Sequence, residues 1–173
     1  MKKCIGVLLA ILVLTACGSA LYTEDGRKMT KEEKAELVTK TVREMLENKH
    51  YRIEVEKTKS QSARESFSHE YMLEIKGDTV ISGLPFMGVA RVAVMGGGTG
   101  LMFTSLHQNY VAERTDTDQT TVTFNASNGE DMYSFRLLIF DNGKTEIRAH
   151  NRKQESMDYS GEMNVWDVIY KKR

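Results

Sequence analysis

The chain has 173 residues, 40% of them hydrophobic and 28% charged, and its 24 basic residues are balanced by 24 acidic ones. That is enough chain for one domain with a real core. The even charge balance excludes the electrostatic footprint of a nucleic-acid binder.

The N-terminus has the anatomy of a secretory signal. Lys2 and Lys3 form a basic start, Cys4 to Leu14 is an apolar run, and small residues precede Cys17. The run is too short to span a bilayer as a helix. Leu14-Thr15-Ala16-Cys17 resembles the lipobox of bacterial lipoproteins. That resemblance implies acylation of Cys17 and cleavage just before it. A plain signal peptide with Cys17 as a bystander, or an N-terminal membrane helix, accounts for fewer of these features. The expected organisation is a signal peptide over 1–16, a lipidated tether over 17–28 and a single domain over 29–173. Acyl chains hold a protein at a membrane because each buried methylene contributes about 0.8 kcal/mol. Maturation removes two of the 24 basic residues, leaving 22 against 24 acidic and a formal charge of −2. It also leaves a single, lipidated cysteine, so no disulfide and no cysteine-ligated metal is expected. Gly18 is compatible with sorting to the outer membrane, and Glu24-Asp25 lie far from Cys17 for a surface-export signal. The expected location is therefore the periplasmic face of that membrane.

Thr30 to Asn48 is the one clear long helix. Thr30 and Glu33 have capping-box spacing. Ala35, Val38, Val42, Met45 and Leu46 fall on one stripe, and the opposite face mixes both charge signs. Such a helix packs its stripe on a sheet or plugs a barrel end.

From Tyr51 onward the pattern is of strands. Tyr51, Ile53 and Val55 alternate with charged residues, and Lys59 to Ser68 reads as a polar loop. Tyr71 to Lys76 alternates cleanly, Gly77-Asp78 is a turn pair, and Thr79 to Ile81 resumes. Val89 to Val94 reads as a short apolar strand, and Met95 to Gly100 as a glycine-rich turn or bulge. Leu101–Thr104, Asn109–Arg114 and Gln119–Asn125 follow. Met132 to Phe140 is the most apolar strand and is expected to be central. Asn142-Gly143 is the strongest hairpin signal and favours a type I′ turn. Lys144 to His150 returns, Ser156 to Met163 adds a further strand, and Val165 to Tyr170 is expected to dock as a cap through Trp166 and Ile169. Nine or ten short strands predict a mainly β, single antiparallel barrel or sandwich, with a lipocalin-like barrel among the options, plus one N-terminal amphipathic helix.

Leu73-Glu74-Ile75-Lys76-Gly77-Asp78-Thr79-Val80, followed by Leu84-Pro85-Phe86 and Gly88, resembles a family of uncharacterised Bacteroidetes lipoproteins, the domain of unknown function 4251. Gly97-Gly98-Thr99-Gly100-Leu101 with Phe103, Phe135-Arg136-Leu137 with Ile139-Phe140 and Asn142-Gly143, and Arg152, Ser156 and Ser160-Gly161 fit as well. The resemblance covers about residues 45 to 163. It implies an extracytoplasmic β-rich lipoprotein and brings no known activity. Gly83 stands where the family leads one to expect a tyrosine, and Val89-Ala90-Arg91-Val92 where it leads one to expect aromatics.

The chemistry-bearing motifs are few. His50, His69, His107 and His150 have no metal-ligand spacing. No G-x-S-x-G elbow exists. Asp116-Thr117-Asp118 lacks the glycine and glutamate of a calcium loop. The glycine loop lacks the helix that a phosphate cradle needs. Asp78-Thr79-Val80 matches a short bacterial O-glycosylation pattern and Asn125-Ala126-Ser127 an N-glycan sequon; both read more economically as turn and strand residues. Met87, Met95 and Met102 flank the glycine loop near Phe86 and Phe103, and methionines suit adaptable apolar sites. Core filling is the plainer reading of them. The expected function is non-enzymatic: a lipid-anchored envelope protein, held to the membrane through Cys17, that binds a small apolar ligand or an envelope partner. It needs no cofactor, metal or nucleic acid. The ligand version predicts a pocket at Phe86, Met87, Met102, Phe103 and Tyr110. The alternative is an envelope hydrolase acting on glycans through a carboxylate pair.

Overall fold

The computed structural model describes residues 21–23, 26–60, 62, 66–89 and 101–171, with backbone alone at 67–69. The lipobox with Cys17, the glycine loop and most of the expected strand over 89–94 lie outside the described residues; Val89 itself is exposed and in no strand.

The chain divides into two compact units, residues 1–34 and 35–173. In the first, residues 21–30 double back. Tyr22 bridges Lys28, the Met29 N–H donates to Leu21 O at 2.8 Å, and Gly26 bends the chain at φ 75°. Helix α1 (Lys31–Glu47) follows. The Thr30 N–H donates to Glu33 Oε2 at 2.8 Å and the Glu33 N–H to Thr30 Oγ1 at 3.2 Å, which is the expected capping box. Arg27 pairs with Glu33 at 2.5 Å.

In the second unit, α1 buries Val38, Val42, Met45 and Leu46 of the stripe read from its periodicity together with Thr41, while Ala35, expected on that stripe, is exposed. Nine strands follow: β1 (His50–Ser60), β2 (Ser66–Lys76), β3 (Thr79–Gly83), β4 (Met102–Leu106), β5 (Gln108–Asp116), β6 (Gln119–Ser127), β7 (Met132–Phe140), β8 (Lys144–His150) and β9 (Met157–Met163). A short helix, α2 (Val165–Lys171), ends the described chain. The strands form one antiparallel sheet in the order β4-β3-β2-β1-β9-β8-β7-β6-β5. The first and last strands, β1 and β9, pair within the sheet, and Phe103 of β4 packs on Tyr133 and Phe135 of β7, so the sheet curls into a nearly closed barrel. Its two end strands, β4 and β5, are joined by His107 alone. The chain bends there, with Asn109 at φ 54° and a register shift between Gln108 and Val111.

Alternation decides what fills the barrel. Ile53, Leu73, Ile75, Val80, Val122, Leu137, Ile139 and Ile147 are at most 1% exposed, and they are joined by Tyr51, Tyr133, Phe135 and Met157. The outward register is polar: Arg136, Glu146 and Arg148 alternate with those core residues. Closure is tight where β1 bulges between Val55 and Lys57 opposite Gly161. A Cβ on Gly161 would collide with the Glu54 carbonyl, so only glycine lets the two backbones approach this closely.

Four local expectations are corrected. Within the segment 59–68, expected to be a loop, residues 59–60 and 66–68 are strand, because β1 and β2 run eleven residues each. β7, expected to be central, lies third from the β5 edge, and β9 is the middle strand of the nine; the turn at Gly77-Asp78 is as expected, with Gly77 at φ 58° in its first position, as in a type II′ hairpin. At Asp141-Asn142-Gly143 only the glycine has positive φ (87°), and Ile139 pairs with Thr145. That is a three-residue loop with glycine in the left-handed position, not a type I′ turn. Finally, the segment 165–171 is a helix whose buried face is Val165 and Ile169; Trp166 is 42% exposed with its ring 6.2 Å from Tyr170.

Candidate functional site

The outward face of β6, β7, β8, β9 and β1 carries rows of side chains that cross the strands. One row runs Thr123, Arg136, Arg148, Asp158, Lys59, each the direct cross-strand partner of the next. A second runs Thr121, Leu138, Glu146, Ser160, Lys57, and a third begins Asn125, Ser134, His150.

Hydrogen bonds fix much of this surface. Arg148 donates to Asp158 through Nε at 2.6 Å and Nη2 at 3.0 Å. Those bonds, and the carboxylate charge behind them, raise the guanidinium pKa. Ser134 Oγ donates to Asn125 Oδ1 at 2.8 Å, and His150 Nδ1 lies 3.0 Å from Ser156 Oγ. Lys153 pairs with Asp131. Arg136, by contrast, has no ion-pair partner among the described residues, and its cross-strand neighbour is another arginine. Like charges directly opposite each other on a sheet face destabilise it, by roughly 0.2–1 kcal/mol.

Three cavities open on this face, of about 450, 350 and 490 Å³. The first two share Arg136 and Arg148; the last two share Asn125, Ser134 and His150. They form one groove. Its charged lining is Lys57, Lys59, Arg136, Arg148, Arg152 and Lys153 against Asp131, Glu146 and Asp158. A chain with balanced charge overall thus concentrates positive charge here.

The inward face holds an aromatic row. Phe103 lies 5.9 Å from Tyr133 and 6.4 Å from Phe135; Phe135 stacks on Phe124 at 4.9 Å; Phe124 and Tyr110 are 6.2 Å apart. His107 packs on Tyr110, with Nε2 2.9 Å from Gly77 O, and Lys49 Nζ sits 4.8 Å over the Tyr110 ring. The phenol oxygens of Tyr51 and Tyr110 are 3.2 Å apart. Burial pushes the pKa of Tyr51, Tyr110 and Tyr159 up, so these phenols stay neutral.

The pocket residues predicted from sequence are only partly gathered. Phe103 and Tyr110 belong to the aromatic row. Met102 points to the opposite face of β4 from Phe103, because successive strand residues alternate, and it is 48% exposed. Phe86 is half-buried and Met87 exposed on the segment after β3. Gly83, where a tyrosine was expected, pairs with Met72 and Met102, and a side chain there would meet only Met72 at ordinary contact distance. Of the histidines, His50 and His150 are exposed and His107 half-buried, while the His69 side chain lies outside the described residues.

A further cavity of about 450 Å³ lies between α1, β1, β2 and α2 and includes Glu74 and Asp167. Glu74 is clamped by Arg52 at 3.5 Å and Lys76 at 3.2 Å. Among the described residues no group of three or more His, Cys, Asp or Glu is placed to hold a metal ion, and no helix is long and apolar enough to cross a membrane. The groove itself was missed from sequence. Alternation marks Arg136 and Arg148 as outward, but an outward arginine ordinarily means a solvated face.

A family model described as "Domain of unknown function (DUF4251)" matches residues 33–163. No curated protein matches the chain. Among solved structures, the chain is similar to the crystal structure of a DUF4251 family protein from Bacteroides eggerthii DSM 20697. The TM-score is 0.56 at 12% identity, over 76% of this chain and 94% of that one. At that identity the likeness is one of fold. With most of its length matched by the family model, the chain belongs to the DUF4251 family.

Proposed function

We propose that this protein is a lipid-anchored component of the bacterial envelope, tethered through Cys17, that binds its ligand without transforming it and does so on the outside of its barrel. The signal-like N-terminus and Leu14-Thr15-Ala16-Cys17 support the anchor. One observation carries the binding reading: three cavities follow one another along one outward face, while the inward side chains of the same strands are buried. Concave sites on rigid strands hold side chains in fixed positions. Arg148, Asp158, Ser134, Asn125 and His150 are held in hydrogen bonds and an ion pair, which suits recognition better than proton transfer.

The test is native mass spectrometry of the lipoprotein purified from its own envelope in detergent. A reproducible bound mass that is lost in Arg136→Ala supports the reading. A bound mass that survives that change places the ligand elsewhere. Metabolic acyl labelling that disappears in Cys17→Ala tests the anchor.

A second reading has its own observation. Met102 and Leu106 are exposed on β4, the end strand of the sheet, and Met87 on the segment after β3, and exposed apolar residues at a sheet edge suit an envelope protein partner. Crosslinking in cells from position 102 tests it: capture of one specific partner supports docking there, and capture of none opposes it.

A further inference from the structure

We infer that the outward groove is a site for an acidic oligosaccharide, with Arg136 as its principal anion contact. The inference rests on the binding reading above and names the ligand class for the same groove.

Charge comes first. The groove lining has six cations against three carboxylates. Asp158 takes up Arg148, and Asp131 takes up Lys153. Arg136 is left without an ion-pair partner among the described residues, directly across from Arg148. An anion lying over the β7–β8 pair would relieve that like-charge contact and accept two parallel N–H bonds from Arg136, the geometry a guanidinium offers a carboxylate. Asp158 holds Arg148 in place, so the second arginine is already oriented.

Shape and the remaining lining narrow the class. The rows cross five strands, β6 to β1. Four inter-strand steps of 4.7–4.9 Å make about 19 Å, longer than a single small anion needs. Around the arginines the lining is hydroxyl and amide: Thr123, Asn125, Ser134 and Ser160. These groups pair with sugar hydroxyls. An acidic peptide fits less well. β6 to β9 are paired on both edges, so no backbone edge is open to an added strand there, and the outward apolar contacts are few, half-buried Leu138 at one end and exposed Met132 at the other.

The experiment is calorimetric titration of the full-length, detergent-solubilised lipoprotein with four probes: hexagalacturonate, neutral maltohexaose, hexaglutamate and inorganic phosphate. The expected result is binding of hexagalacturonate above all others, weakened by added salt because the site is open to solvent. Arg136→Ala should lower that affinity about tenfold or more, as loss of hydrogen bonds to a charged group does. Arg136→Lys should fall between, keeping charge and losing the fork. Arg136 is exposed on a strand, so the fold should survive; circular dichroism checks this, and Arg152→Glu provides a second variant at the other end of the groove. The inference is overturned if maltohexaose or hexaglutamate binds as well as hexagalacturonate, if phosphate alone matches it, if no probe binds, or if both variants bind as the native chain does. A neutral envelope ligand lost in Arg136→Ala would overturn the acidic class and leave the groove reading standing. Bound ligand indifferent to Arg136 would remove the groove reading as well.

Discussion

Asp141 sits in the loop after β7 and receives Arg114 Nη1 and Nη2 at 2.8 Å each and Arg43 Nη2 at 2.9 Å. It therefore ties β5 and α1 to the β7–β8 corner. Its hydrogen bonds from Arg114, with those from Arg43, outweigh burial and lower its pKa to about 2. A folded-state pKa below the unfolded value means the stabilisation is present above about pH 4 and is lost as pH falls towards 2. Asp141→Asn should lower stability by about 1.5–3 kcal/mol at pH 7, the scale for hydrogen bonds to charged groups. The gap between variant and native chain should close between pH 4 and 2 in urea titrations. Gly161 makes a second residue-scale case. Its absent Cβ leaves room for the Glu54 carbonyl, so Gly161→Ala should cost about 3 kcal/mol, the upper end for forcing in extra volume. Thermal unfolding would show this, and an unchanged midpoint would mean that β1 and β9 separate easily.

At the scale of elements, the capping box should be worth about 1 kcal/mol: Thr30→Ala should lose it and Thr30→Ser keep it, read by denaturant midpoints. The aromatic row should be worth more. Phe135 stacks on Phe124 and lies beside Phe103 inside the barrel, and Phe135→Ala should cost about 3–5 kcal/mol. The elements also show what the sequence made legible. Thr30 with Glu33, the stripe from Val38 to Leu46, and the alternation of β2, β3, β7 and β8 are local signals, and each became the expected element. The bend at His107 is not local. It arises because β4 pairs with β3 and β5 with β6, a sheet-wide demand that no single segment states. The type I′ expectation at Asn142-Gly143 failed because Asp141 joins the loop and shifts the register by one. Trp166 misled because its size suggested docking, whereas α2 buries the smaller Val165 and Ile169.

For the molecule as a whole, the antiparallel β class could be read from strand count and turn spacing, while the barrel needed the pairing of β1 with β9, the two strands of the second unit most distant in sequence. The site follows the same logic. Phe86, Met87, Met102, Phe103 and Tyr110 are neighbours along the chain near the glycine loop, yet alternation sends Met102 and Phe103 to opposite faces. Arg136 and Arg148 are twelve positions apart and become direct neighbours only once the hairpin register is known. Deuterium exchange on the full-length chain, with and without an extract of its source cells, distinguishes the two locations directly. The groove reading predicts new protection in β6, β7 and β8, centred on Arg136 and lost in Arg136→Ala. Protection confined to the segments around Phe86, Met87 and Met102 would contradict it.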